Sequence, residues 1–184
     1  RIEDIDASRC RPEFTDAIFE DLAWLGLVWE TPVRRQSEHM ADYAAALAEL
    51  ARCNYVYPCF CTRAGIAAEI AAAGAAPHGP DGPRYPGTCR GLDAGLCAER
   101  IARGDSHALR LDAARAASFF AALREPLSWH DRARGKQEVP IALLDDVVLA
   151  RKDVPAGYHL AVTVDDASQG ITLVTRGEDL FEAT

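Results

Sequence analysis

An α/β fold with a parallel sheet, interrupted by a cysteine-bearing insert, is the architecture this sequence predicts, and three observations carry it. Residues 1–52 read strand, helix, strand, helix, the order that parallel sheets produce. At Tyr57 the composition shifts to paired cysteines and then to a Gly/Pro-rich stretch. Apolar runs then return at His107–Leu111 and Val147–Ala150, so the core pattern resumes after the insert.

The elements follow in order. Arg1-Ile2-Glu3 reads as the tail of a strand. Pro12 suits the first position of a helix whose apolar face is Phe14, Ile18, Leu22 and Leu25, with Gly26 as its stop. Val33-Arg34-Arg35-Gln36 reads as a short strand. Ser37 then caps a second amphipathic helix with Met40, Tyr43, Leu47 and Leu50 on one face. Thr62 caps a short helix, and Pro77, Gly79, Pro80, Gly82, Pro83, Pro86 and Gly87 make the next segment a loop. A further helix runs from about Asp93 to Gly104. The polar stretch before Val147 gives no clear pattern. Pro155 opens a helix carrying Tyr158, Leu160 and Ala161, and Ile171–Arg176 reads as a strand ending at Gly177, with Asp179 capping a last helix. This divides the chain into a first part of the core, 1–56, a connective insert, 57–146, and a second part of the core, 147–184.

The 184 residues suffice for one hydrophobic core, and 49% hydrophobic content is ordinary for a folded globular protein. No run approaches the roughly 18 apolar residues of a membrane span. Six cysteines without a secretory signal favour a reducing compartment, so a cytoplasmic protein is expected. A net charge of -8 argues against a general nucleic-acid binder and leaves room for a local basic patch.

Cys59-Phe60-Cys61, followed by Tyr85-Pro-Gly-Thr-Cys89, is the strongest chemical signal. Two cysteines one residue apart do not readily bond to each other, but both thiolates can turn toward one metal, and Cys89 supplies a third. Zinc is the expected ion. Tyr85, His78 and Cys97 are the candidates for the fourth position, whereas Cys10, Cys53 and Cys97 also read as the small buried hydrophobes that free cysteines usually are.

Glu3, Asp4 and Asp6 lie at the end of the first strand, where open α/β sheets bind ligands, and a carboxylate there can hold an ammonium group. Arg176 ends the last strand in the same way and suits a carboxylate or phosphate, or an ion pair with Asp179. Tyr158 and His159 sit together on a helix, and His159 has no partners in any triad motif. Neither a G-x-x-x-x-G-K-[ST] loop nor a G-x-G-x-x-G fingerprint is present.

Together, Arg1–Asp6, Cys59-Phe-Cys-Thr-Arg63, Tyr85-Pro-Gly-Thr-Cys-Arg90 and Tyr158–Thr172 resemble the class I glutamyl-tRNA synthetase catalytic domain, nearly end to end. Within that family they look most like the short branch, the glutamyl-Q tRNA(Asp) synthetases. Ordinary members often complete the zinc site with a histidine two residues after the third cysteine, and here that position is Gly91. The resemblance implies a Rossmann-like class I aminoacyl-tRNA synthetase catalytic core, truncated at both ends, with a zinc-binding insert. It implies ATP, with magnesium, as a substrate; activation of L-glutamate; and transfer to the queuosine base of tRNA(Asp) by a monomer. Glu3, Tyr158 and Arg176 would hold glutamate, Cys59, Cys61, Tyr85 and Cys89 would bind zinc, and no protein nucleophile is required. A HIGH-type motif would precede Arg1 and a KMSKS-type loop would follow Thr184, so residues 1–184 alone are expected to be inactive. A standard glutamyl-tRNA synthetase charging tRNA(Glu), or a non-catalytic zinc-stabilised binding module, are the alternatives.

Overall fold

A computed structural model describes residues 1–6, 9–72, 78–79, 82–123, 126–140, 144–151, 154–178 and 181. In chain order the elements are α1 (Pro12–Trp24), α2 (Met40–Arg52), β1 (Val56–Cys59), α3 (Arg63–Ala72), β2 (His78–Gly79), β3 (Gly82–Pro83), α4 (Ala94–Ala102), β4 (Ala108–Leu111), α5 (Ala113–Leu123), β5 (Ser128–Asp131), β6 (Gly135–Glu138), β7 (Val148–Arg151) and α6 (Tyr158–Gln169). None of these helices is long and apolar enough to cross a membrane.

Parallel pairing is present but minimal among the described residues. Ile2 bridges Arg35 in parallel, its N–H donating to the Arg34 carbonyl at 2.8 Å and its carbonyl accepting from Gln36 N at 3.0 Å. The expected strand at 33–36 goes no further because the chain curls into a single 3-10 turn, Gln36–Glu38. Ser37 explains the curl: its backbone N–H and its hydroxyl both donate to the Asp4 carboxylate, at 2.9 and 2.8 Å. Ser37 therefore does not cap α2, whose first turn follows His39 without a side-chain cap.

The main sheet is antiparallel, in the order β1-β4-β7, with Tyr57 opposite Arg110 and Cys59 opposite Ala108. Two further two-stranded sheets pair β2 with β3 and β5 with β6. The polar stretch that showed no pattern in the sequence holds α5 and the β5–β6 hairpin, whose strands bury alternate positions only partly and so carry a weak signal.

The core lies where α2 and α6 pack on β7. Tyr43, Leu149, Ala156, Leu160 and Ala161 are buried there, with Met40, Leu47 and Leu50 packed against them, as the period of the second helix requires. Burying Leu149 or Leu160 fully contributes about 1.5–3 kcal/mol each. Gly157 permits the close approach of α6 to β7: its N–H donates to the Leu149 carbonyl at 2.6 Å, and a Cβ there would lie 2.8 Å from the Val148 carbonyl oxygen. That contact also corrects the start of α6, which begins at Tyr158 rather than Pro155. Gly170, at φ 61°, ends it in a left-handed cap.

Two further expectations need correction. In α1 the inward stripe is Thr15, Phe19 and Leu22, with Phe19 stacked on Trp29 at 5.4 Å, while Phe14, Ile18 and Leu25 are exposed among the described residues. Residues 171–176 pair with no strand among the described residues, and Ile171, Leu173 and Val174 are exposed. Asp179 and the last helix lie outside the described residues.

Candidate functional site

Two groups of side chains, about the cleft beside α6 and about the cysteines, stand out by geometry. The cleft, of ≈ 240 Å³, is lined by Glu3, Asp6, Gln36, Arg151, Gly157 and Tyr158 among others. Local structure explains the gathering. The Ile2–Arg35 bridge brings Glu3 and Gln36 to one edge, and the tight Gly157–Leu149 contact sets the first turn of α6 against the end of β7, where Arg151 lies.

Glu3 and Tyr158, which sequence reasoning placed in one site, do share this cleft. Arg176 does not line the cleft but meets Tyr158, its guanidinium donating to the Tyr158 hydroxyl at 3.3 Å. Glu3 also pairs with Arg1 at 3.2 Å on the exposed rim. Asp4 does not enter the cleft, being occupied with Ser37 and, at 3.8 Å, Arg35. His159 packs edge-on against Tyr158 with ring centroids 5.6 Å apart. Gln36 and Arg151 are cleft residues that sequence reasoning missed, since neither belongs to a motif and only the parallel bridge and β7 bring them there.

Cys59 ends β1, Cys61 follows it, and Cys89 sits in the turn before α4. Their three sulfurs lie within 4.8 Å of one another, the one such cluster of potential metal ligands among the described residues. The Tyr85 oxygen lies 3.3 Å from Cys59 Sγ and 3.4 Å from Cys61 Sγ, and accepts from the Cys89 backbone N–H at 3.0 Å. Cys61 and Cys89 sulfurs are 3.5 Å apart. A tetrahedral zinc ion with ordinary bond lengths sets its ligand sulfurs about 3.8 Å apart and a phenolate oxygen about 3.5 Å from each sulfur, so the donor set fits.

The Tyr85 oxygen is thus the fourth potential donor atom beside the three sulfurs. Cys97 is buried on α4 outside the cluster, and the His78 side chain lies outside the described residues. Gly91 has open space around it. Burial, together with the neighbouring sulfurs, pushes the Cys61 thiol up to about 11. Burial likewise opposes ionisation of Cys59, yet contacts with Tyr85 and Arg110 hold it below its ordinary value.

Two buried carboxylates tie these groups to the core. Asp165 of α6 accepts from Arg34, Gln36 and Tyr43, linking the segment beside the cleft to α2. Asp146 accepts from Tyr57, from Arg90 at 2.8 and 2.5 Å, and from the Ala113 N–H at 3.0 Å, so the turn after Cys89 is anchored to α5.

Comparison with known proteins places residues 1–184 within "tRNA synthetases class I (E and Q), catalytic domain". The glutamyl-Q tRNA(Asp) synthetase of Rhodobacter capsulatus is 44% identical over 187 residues, covering all of this chain and 66% of that protein. Those of Leptothrix cholodnii and Nocardia farcinica are 45% and 42% identical, again across the whole chain, which spans 58% and 53% of their lengths. The chain therefore spans between about half and two thirds of the length of these relatives. Among solved structures, a glutamate tRNA ligase from Elizabethkingia meningosepticum in complex with its amino acid superposes with a TM-score of 0.76 at 27% identity, over all of this chain and 37% of that one. A glutamate-tRNA synthetase from Elizabethkingia anophelis gives the same TM-score at 26% identity.

Proposed function

Because this chain belongs to the catalytic domain of the class I tRNA synthetases for glutamate and glutamine, we propose that it forms part of an enzyme that activates L-glutamate with ATP and transfers it to the queuosine base of tRNA(Asp). The observation that carries this reading is the similarity, across the whole chain, to relatives named for that activity.

The cleft supports the substrate. Glu3 offers an anion to the glutamate ammonium, Arg176 a planar cation to a carboxylate, and the Tyr158 hydroxyl, already held by Arg176, a neutral hydrogen-bonding group between them. Attack of the glutamate carboxylate on the ATP α-phosphate requires no protein nucleophile. The residues of the cleft then act by holding the amino acid in line, which alone can remove a large part of the barrier. ATP with magnesium is the second substrate, and residues 57–146 form the connective insert between the two parts of the core.

The cysteine group is read as a closed zinc site held by Cys59, Cys61, Cys89 and Tyr85. Zinc bound there supplies a structural cross-link between β1 and the turn before α4. A four-ligand sphere leaves no open position for substrate. The enzyme would act on its tRNA in the cytoplasm, as a monomer.

A second reading is a standard synthetase that charges tRNA(Glu), favoured by the glutamate-tRNA ligases that share the fold. Both readings require glutamate activation. ATP–pyrophosphate exchange by the full-length enzyme that depends on L-glutamate supports them, whereas exchange driven by another amino acid, or none with any, rules both out.

A further inference from the structure

The metal reading leaves a charge to account for. Three thiolates and a phenolate around a divalent cation carry two excess negative charges, and Cys59, Cys89 and Tyr85 are buried. Buried charge is costly unless a counter-charge lies close by.

Arg110 supplies one. In the β1–β4 pair it stands opposite Tyr57, so its side chain lies on the same face as Tyr57 and Cys59, diagonal to the latter. Its guanidinium carbon lies 4.0 Å from the centre of the Tyr85 ring. Nη1 donates to the Asp146 carbonyl at 2.7 Å, which fixes the plane of the group. Its Nε is buried and makes no hydrogen bond among the described residues. A cation held with one buried donor unspent, over the ring of a potential ligand, is otherwise hard to rationalise in the interior of a sheet. Arg90, the nearest basic residue in sequence to the cysteines, is committed to Asp146.

We propose that Arg110 is a positioning residue of the metal centre: it offsets the excess thiolate charge and, by stacking on Tyr85, holds the phenol oxygen at the fourth corner. This rests on the zinc reading above. A ring carrying negative charge attracts a cation over its face more strongly than a neutral one, so the stack favours the metal-bound form of Tyr85 over the free form.

The test is zinc affinity, measured by competition with a chromophoric chelator, together with the visible spectrum of the cobalt(II)-loaded protein, which reports a four-coordinate sphere. Arg110→Gln should weaken zinc binding about 10–100-fold, the usual effect of losing an outer partner of a ligand. Its cobalt spectrum should shift toward that of Tyr85→Phe. Arg110→Lys, which keeps the charge, should recover most of the affinity. Adding Arg110→Gln to Tyr85→Phe should cost little more than Tyr85→Phe alone, because the two act through one ligand. If Arg110→Gln binds zinc as tightly as the unaltered protein, or if Arg110→Lys is as weak as Arg110→Gln with an unchanged cobalt spectrum, Arg110 serves packing only and the proposal falls. An unaltered protein that takes up no zinc overturns the zinc reading itself, and does so before any variant is compared.

Discussion

Arg34 Nε donates to Asp165 Oδ1 at 2.8 Å across 131 positions of the chain. Asp165 is fully buried and also accepts from Gln36 Nε2 at 2.9 Å and from the Tyr43 hydroxyl at 3.0 Å. One carboxylate thereby fixes the segment after the parallel bridge, α2 and α6 to one another. Gln36 and Tyr158, at the near ends of that arrangement, both line the cleft, so the ion pair sets the shape of the proposed glutamate site without touching it.

Replacing this carboxylate should loosen the frame. Asp165→Asn leaves Arg34 with Asp42 alone and should destabilise the fold by about 3 kcal/mol, the lower end of the range for breaking a buried ion pair. Chemical denaturation measures it. A loss below about 0.5 kcal/mol, the scale of an exposed substitution, would show that the pair contributes little.

The same carboxylate gives an acid limb to stability. Burial opposes its ionisation, but hydrogen bonds from Gln36, Arg34 and Tyr43 draw it below its ordinary range. Its folded pKa is therefore depressed, and the stabilisation is present above the unfolded value of about 3.9 and lost as pH falls through the folded value. Asp165→Asn should flatten the decline of stability below about pH 4, relative to the unaltered protein. An unchanged acid limb in the variant would assign that limb to other carboxylates.

Metal removal should act on more than the insert. Cys89 is followed by Arg90, which is fixed to Asp146 together with Tyr57 and Ala113 N. Cys59→Ser or Cys89→Ser should abolish stoichiometric zinc and lower the Tm by roughly 4–8 °C, as expected for a loss of about 2 kcal/mol in a chain of this size. Metal analysis of protein purified without chelators checks the first outcome and calorimetry the second. Protein that is free of zinc yet melts with full cooperativity would return the three cysteines to the role of buried hydrophobes.

In the full-length enzyme, Glu3→Gln should weaken glutamate activation with the fold intact. Losing a charged hydrogen bond to the substrate ammonium costs about 1.5–3 kcal/mol, or roughly a tenfold to hundredfold drop in glutamate-dependent pyrophosphate exchange. Unchanged exchange would reduce Glu3 to the exposed partner of Arg1.

Much of this arrangement was legible in the sequence, and the reasons for the remainder are physical. The cysteine spacing announced the grouping of Cys59, Cys61 and Cys89, and the family resemblance named Glu3 and Tyr158, which share a cleft, and Arg176, which contacts Tyr158. Periodicity found the face of α2 because Tyr43, Leu47 and Leu50 all meet the core. It misjudged α1 because two apolar stripes lie side by side there, and Phe19 rather than Ile18 finds an aromatic partner. The β5–β6 hairpin was missed because both of its faces are partly wet. Asp146 and Asp165 were missed because a buried carboxylate reads as a surface residue until its distant donors are known.

The transfer step separates the proposed activity from its nearest rival most directly. The full-length enzyme is incubated with labelled L-glutamate, ATP and, in turn, tRNA(Asp) with queuosine, tRNA(Asp) without it, and tRNA(Glu). Label retained only on the queuosine-containing tRNA(Asp) is the result expected of an enzyme that contains this chain, which is 38–45% identical to several glutamyl-Q tRNA(Asp) synthetases. Label on tRNA(Glu), or on tRNA(Asp) irrespective of queuosine, would contradict it.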